Sequence, residues 1–118
     1  MPDVTTLVDS YIALWNETDP ARRRYLVAQT FASYGEYVDP LMHGQGIEGI
    51  DAMVAAAQEQ LPGTRFELYA GPEAHNDRVR FSWQLKPAAG GEALATGHDF
   101  GVLDGDGRFA SVTGFLER

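Results

Sequence analysis

The sequence predicts an α+β fold in which helices come first and a meandering antiparallel sheet follows. In the first half of the chain, apolar residues recur at the three- and four-residue spacing of one helix face. From Thr64 onward they alternate with polar residues at a period of two, as in strands that bury one face. Helices followed by consecutive strands indicate the α+β class.

Three helices are predicted. The first carries an apolar stripe formed by Val4, Leu7, Val8, Tyr11, Ile12 and Trp15. The second begins at Pro20 with Asp19 as its N-cap, because aspartate accepts hydrogen bonds at a helix start and proline fits the first turn. The third follows a glycine-rich loop, residues 41–46, and is terminated by Pro62-Gly63.

Three consecutive arginines, Arg22 to Arg24, lie near the start of the second helix. Positive charge at a helix N-terminus opposes the helix dipole, so the dipole does not explain their placement. We expect them to form a solvated helix face. The alternative is a contact with an acidic ligand or partner.

The strands are predicted from residue type and alternation. A short strand begins at Tyr34 and is closed by Asp39-Pro40. Phe66 and Leu68 alternate with polar neighbours, and so do the apolar residues between 79 and 85. Residues 87–91 are predicted as a turn, residues 93–103 as a long strand, residues 104–107 as a hairpin turn, and residues 109–116 as the last strand.

Composition and charge exclude several classes of protein. The 118 residues are typical of a single domain, which we expect to span residues 1–118. With 17 acidic and 9 basic residues the net charge is −8, which disfavours binding to nucleic acid or to an anionic membrane. No apolar stretch approaches the ~18 residues of a membrane span. No signal peptide is visible at the N-terminus, so we expect a cytoplasmic protein.

We expect neither a metal nor a cofactor. Cysteine is absent, and the three histidines are dispersed without the spacing of a metal site. The fingerprints of phosphate loops, dinucleotide-binding loops and nucleophile elbows are absent as well.

The strand at residues 93–103 has one face on which small residues, among them Gly97 and Gly101, surround a single aspartate, Asp99. We expect these small residues to leave an unfilled volume above Asp99. If helices cover this face, Asp99 lies at the bottom of a pocket; alternatively it faces solvent and the glycines merely curve the sheet. An apolar pocket wall is available from Phe81 and Trp83 and, on the last strand, from Val112 and Leu116.

Two further residues are candidates for chemistry. Asp39 is a second carboxylate beside the glycine-rich loop, although aspartate before proline is also a common turn device. Tyr11 lies on the stripe of the first helix, where a tyrosine is often part of the core with its hydroxyl at the edge. We expect Met42 and His43 of the loop to border the pocket mouth.

The opposite face of the same strand predicts an assembly. It carries Leu94, His98, Phe100 and Val102, which the helices cannot also cover. An exposed apolar patch of this kind predicts a symmetric homodimer through the outer face of the sheet.

The motifs together resemble the nuclear-transport-factor-2-like superfamily, within it the SnoaL-like polyketide cyclases and the ketosteroid isomerases. The resemblance covers essentially the whole chain and is carried by Tyr11 with Trp15-Asn16, Tyr37-Val38-Asp39-Pro40, Gly46-Ile47-Glu48-Gly49-Ile50, Gly97-His98-Asp99-Phe100 and Asp106-Gly107-Arg108. It implies a cystatin-like α+β roll, in which a curved antiparallel sheet and three helices enclose a conical cavity. Homodimers packed sheet to sheet are usual in this superfamily.

The resemblance also implies roles for residues. The isomerase pattern places a general base at Asp39, a protonated acid at Asp99 and an oxyanion-binding tyrosine at Tyr11. The SnoaL-like cyclase pattern places its acid/base aspartate on the late strand, again at Asp99. The aspartate–arginine–aspartate set of related epoxide hydrolases is not expected, because Arg78 and Arg80 fall on the outer face. Apolar ligand contacts are expected from Trp15, Met42, His43, Phe81, Trp83, Val112 and Leu116.

Three functions fit these expectations. The first is a cofactor-independent isomerase or cyclase that acts on an apolar carbonyl compound. The second is a module that binds such a ligand without chemistry, and the third is a structural dimerisation domain whose cavity is vestigial. Convergence of Asp39 and Asp99 on one cavity favours the first, whereas a filled cavity favours the third.

Overall fold

The computed structural model describes residues 3–117. Met1 and Pro2, on which the signal-peptide expectation partly rests, lie outside the described residues, as does Arg118. The helices are α1 (Val4–Asn16), α2 (Pro20–Thr30) and α3 (Gly46–Gln60). The strands are β1 (Phe31–Val38), β2 (His43–Gln45), β3 (Thr64–His75), β4 (Arg78–Pro87), β5 (Ala95–Leu103) and β6 (Phe109–Leu116). The predicted α+β class is confirmed.

The strands form one curved sheet in the order β2-β1-β6-β5-β4-β3. The meander from β3 to β6 is antiparallel throughout, as predicted. One pair differs from the prediction, because β1 and β6 run parallel. After α3 the chain enters the sheet at the edge farthest from β1, and the last strand of the meander therefore returns beside β1 in the same direction.

Three strand boundaries differ from those predicted. β1 begins at Phe31, directly after α2, and β5 begins at Ala95 rather than at residue 93. The predicted loop at residues 41–46 contains β2, which pairs with the end of β1. A tight turn makes this pairing possible: the Asp39 backbone N–H donates to the Met42 carbonyl oxygen at 3.0 Å.

The helices cover the inner face of the sheet and bury the predicted stripe of α1. Leu7, Val8, Tyr11 and Trp15 are buried, together with Leu14, which the predicted stripe does not include. Asp19 caps α2 as predicted, since its side chain accepts a hydrogen bond from the Arg22 backbone N–H at 2.9 Å. No helix within residues 3–117 is both long enough and apolar enough to cross a membrane.

Of the three arginines of α2, Arg23 departs from the expected solvated face, whereas Arg22 and Arg24 are exposed as expected. Arg23 is only 7 % exposed, and its guanidinium donates to Asp51 at 2.8 Å and to Gln58 at 3.1 Å, both on α3. Arg24 pairs with Glu48 at the surface. Arg23 and Arg24 therefore join α2 to α3, whereas Arg22 lies beside Glu17.

Replacing Arg23 by alanine is expected to lower the free energy of unfolding by about 3 kcal/mol, because Asp51 would remain partly buried without its cation. Urea denaturation measures this change. Arg24→Ala is the matched control, and we expect little effect because that pair is solvent-exposed. Equal losses in the two variants would contradict the distinction.

Candidate functional site

The helices and the inner face of the sheet enclose an apolar cavity of about 180 Å³. Most of its wall is hydrophobic, and its polar side chains belong to Tyr11, Tyr37 and Asp39. Leu41 also lines it and is 74 % exposed, so the mouth lies at the turn after β1.

The structure brings six of the predicted site residues to this wall: Tyr11, Trp15, Asp39, Met42, Trp83 and Leu116. Phe81 and Val112 lie in the core behind the wall. The Phe81 ring packs edge-on against Tyr11 with centroids 5.1 Å apart. His43 points outward from β2 and its Nε2 lies 2.9 Å from Glu36 Oε2. Strand alternation explains this, since the buried member of β2 is Gly44.

Asp99 faces the helices and is 2 % exposed, which excludes the solvent-facing alternative. The Tyr11 hydroxyl donates to Asp99 Oδ2 at 2.7 Å. Asp99 therefore reaches the cavity through Tyr11, whose ring forms part of the wall. These two residues make the first of two tyrosine–aspartate pairs.

The glycines beside Asp99 do not leave an empty volume, contrary to the sequence-based expectation. A Cβ atom on Gly97 would lie 2.1 Å from Trp83 Cζ2, and one on Gly101 would lie 2.3 Å from Phe109 Cε1. Two aromatic rings therefore lie across β5 at the glycine positions, and the open volume is found over Ala95.

The second pair is formed by Tyr37 and Asp39. The Tyr37 hydroxyl donates to Asp39 Oδ2 at 2.6 Å. Asp39 Oδ1 accepts from the backbone N–H groups of Leu41 at 2.8 Å and Met42 at 2.9 Å. Asp39 thus stabilises the turn through hydrogen bonds and also lines the cavity. Its interpretation as a turn residue and its interpretation as a site residue are therefore compatible.

The two pairs meet at Gly114 of β6. A Cβ atom at this position would lie 2.9 Å from Asp99 Oδ1, 3.0 Å from Tyr37 Oη and 3.2 Å from Asp39 Cβ. Only a residue without a side chain leaves room for both carboxyl groups here. Asp99 Oδ1 is buried and has no hydrogen-bond partner among the described residues, and such atoms are few in a folded protein.

Burial raises the pKa of Asp99 to about 6, because the charged carboxylate is poorly solvated. The Tyr11 hydroxyl and Trp83 oppose this rise, and the nearby Asp39 carboxylate adds to it. Burial and the Asp99 charge also raise the pKa values of Tyr11 and Tyr37, so both phenols keep their protons.

The basic side chains of the described residues lie outside the cavity lining. None of the side chains lining the cavity is lysine, arginine or histidine. Arg80 is on the outer face, as predicted, where it donates to Glu73. Within residues 3–117 no three histidine, aspartate or glutamate side chains are grouped to hold a metal ion.

Comparison with solved structures finds proteins that share this fold over nearly the whole chain. A candidate isomerase of the SnoaL-like family from Agrobacterium tumefaciens is 45 % identical, with a TM-score of 0.91 and 97 % of each chain covered. A candidate SnoaL-like polyketide cyclase from Jannaschia is 18 % identical, with a TM-score of 0.72 over 99 % of this chain and 89 % of that one. A protein of unknown function with a cystatin-like fold, from Nostoc punctiforme, is 13 % identical, with a TM-score of 0.71 over 97 % and 88 %. The latter two likenesses show the fold alone. No protein-family model and no curated protein matches the chain.

Proposed function

Because this chain belongs to the SnoaL-like family, we propose that it is a cofactor-independent enzyme that moves a proton beside the carbonyl group of an apolar small molecule. The observation that carries the proposal is the meeting of two tyrosine–aspartate pairs at an apolar cavity. An isomerase agrees with the name of the Agrobacterium protein.

Asp39 is the proposed general base. Removing a proton next to a carbonyl requires a carboxylate within reach of that carbon, and Asp39 is the carboxylate that lines the cavity. Its three hydrogen bonds hold the carboxylate in one orientation. The proton moves from the α-carbon to a carboxylate oxygen and is returned to another carbon of the same substrate.

The enolate oxygen formed in this step requires a hydrogen-bond donor. Each tyrosine has one hydroxyl proton, and that of Tyr11 is directed at Asp99 in the structure. When Asp99 is protonated, it can donate to the Tyr11 oxygen, which frees the Tyr11 proton for the substrate oxygen. The proposed active form therefore has a protonated Asp99 and an ionised Asp39.

The function is tested with the β,γ-unsaturated isomer of cyclohexenone in deuterium oxide. We expect the wild-type protein to form the conjugated enone, which is followed by ultraviolet absorbance, and to exchange the α-protons, which is followed by NMR. Tyr11→Phe should slow both reactions by roughly a hundredfold or more, the usual effect of losing one oxyanion donor. Rates equal to the buffer-catalysed background would refute the proposal.

A non-catalytic binding module is the second candidate. It is favoured by one observation: in the structure without ligand, three donors already satisfy the Asp39 carboxylate. Binding of the enone without any exchange above background would support this candidate. The open cavity argues against a vestigial site.

We propose that the working protein is a homodimer joined through the outer sheet face. Phe100 and Phe115 are exposed there on adjacent strands, and Leu94 is exposed just before β5. His98 lies between them, hydrogen-bonded to Ser82 and Glu117, and Val102 is half-buried. Light scattering should give twice the monomer mass, and Phe115→Glu should lower it by placing a charge in the interface. A wild-type monomer at micromolar concentration would contradict the proposal.

A further inference from the structure

The volume of the cavity is small for a ligand-binding site. Its volume is about 180 Å³, only slightly above the roughly 150 Å³ of an apolar cavity that admits benzene. Sites for drug-sized ligands usually occupy about 300–1,000 Å³. The enclosed space therefore fits one ring, or two compact rings, and a larger ligand would leave its other rings in water beyond Leu41.

Trp83 is one of the bulky aromatic side chains that line the cavity. Its indole lies across β5 at Gly97, where any Cβ atom would overlap it, and it packs edge-on against Phe66 with ring centroids 5.1 Å apart. Trp15 in turn packs against Phe66, with centroids 5.5 Å apart. These three rings line the cavity and occupy volume that smaller side chains would leave open.

The charge of the lining also restricts the ligand. Its ionisable groups are Tyr11, Tyr37 and Asp39, with the Asp99 carboxyl directly behind Tyr11. No cation among the described lining residues could pair with an anionic ligand. A carboxylate or phosphate would therefore lose its hydration without a cation to pair with and would also be repelled by Asp39.

We infer that the substrate is an uncharged carbonyl compound of one or two rings, and that Trp83 is the specificity-determining residue that excludes larger ring systems. This inference rests on the proposed function in placing the substrate in this cavity. It adds a limit on size and charge that proton transfer alone does not require.

The test uses three probes of known size and charge: phenol, which has the shape and polarity of a ring enol; estradiol, a four-ring phenol; and benzoate, an anion of similar size to phenol. Binding is measured by titration calorimetry. We expect wild-type protein to bind estradiol no more tightly than phenol, since the additional rings gain no burial. Benzoate should bind at least tenfold more weakly than phenol.

Trp83→Leu opens the cavity and should raise the affinity for estradiol relative to phenol at least tenfold. Tyr25→Ala, a change at an exposed tyrosine on α2, is the control and should leave the ratio unchanged. The wild-type measurements keep the inference testable even if Trp83→Leu does not fold.

Two results would overturn the inference: wild-type protein that binds estradiol tenfold more tightly than phenol, as burial of further rings would produce, or benzoate that binds as tightly as phenol. Binding needs no turnover, so the two proposals fail separately. Selective phenol binding without proton exchange would refute only the proposed chemistry, whereas exchange on a large ketone would refute only the size limit.

Discussion

Asp39→Asn is expected to lower kcat for isomerisation of the β,γ-unsaturated cyclohexenone by between about a hundredfold and ten thousandfold, the usual contribution of a general base. An asparagine has nearly the same shape, and its carbonyl oxygen can still accept from the backbone N–H groups of Leu41 and Met42. The turn after β1 should therefore persist while the basic oxygen is lost.

The controls separate chemistry from folding. Asp39→Ala removes both the base and the turn hydrogen bonds, so it should also lower the midpoint of thermal unfolding, whereas Asp39→Asn should not. Tyr37→Phe leaves the carboxylate in place and removes one of its three hydrogen bonds, so its kcat should fall less. If Asp39→Asn kept kcat within threefold of wild type, Asp39 would be only a turn residue.

The side of the sheet on which the Asp99 side chain lies could be predicted from the alternation of side chains along the strand alone. It shares a strand face with Ala95 and Leu103, and this face is the one that the helices cover. That aromatic rings fill the volume expected above Asp99 could not be predicted, because it depends on the register between strands. Trp83 lies opposite Gly97 in that register, and its ring fills the space that the glycine leaves.

Tyr37 is absent from the residues predicted for the site, although a signal for it exists. Two positions separate it from Asp39, and residues at that spacing at the end of a strand project to the same side. The convergence at Gly114 has no comparable signal, since it requires β6 to lie between β1 and β5. The parallel pairing that places it there is a long-range property of the topology.

Arg23 shows a further limit of sequence patterns. A basic run at a helix start is typical of a solvated face, and nothing local distinguishes Arg23 from Arg22 and Arg24. Its partners on α3 are 28 and 35 residues away along the chain. Helix packing therefore decides which of the three arginines is buried.

Asp99 is expected to make both the activity and the stability of the wild-type protein depend on pH, and Asp99→Asn should remove both dependences. The folded protein holds the pKa of Asp99 at about 6, above the 3.8 of an unperturbed aspartate. If the protonated form is the active one, kcat/KM should fall as pH rises through about 6. Asparagine is neutral at every pH and can donate to Tyr11, so Asp99→Asn should lack this alkaline limb and retain more activity at pH 8 than Asp99→Leu.

Stability follows from the same shift in pKa. At pH values between the unfolded and folded pKa values of Asp99, the folded protein binds more protons than the unfolded chain does. The free energy of unfolding therefore decreases as pH rises from about 4 to above 6. A shift from 3.8 to about 6 corresponds to about 3 kcal/mol lost at pH 8, at roughly 1.4 kcal/mol per unit. Asp99→Asn avoids that loss, so it should be more stable than wild type at pH 8 and lose this advantage near pH 4. Urea denaturation at the two pH values measures the difference, and an identical pH dependence in both proteins would show that Asp99 titrates as an ordinary surface aspartate.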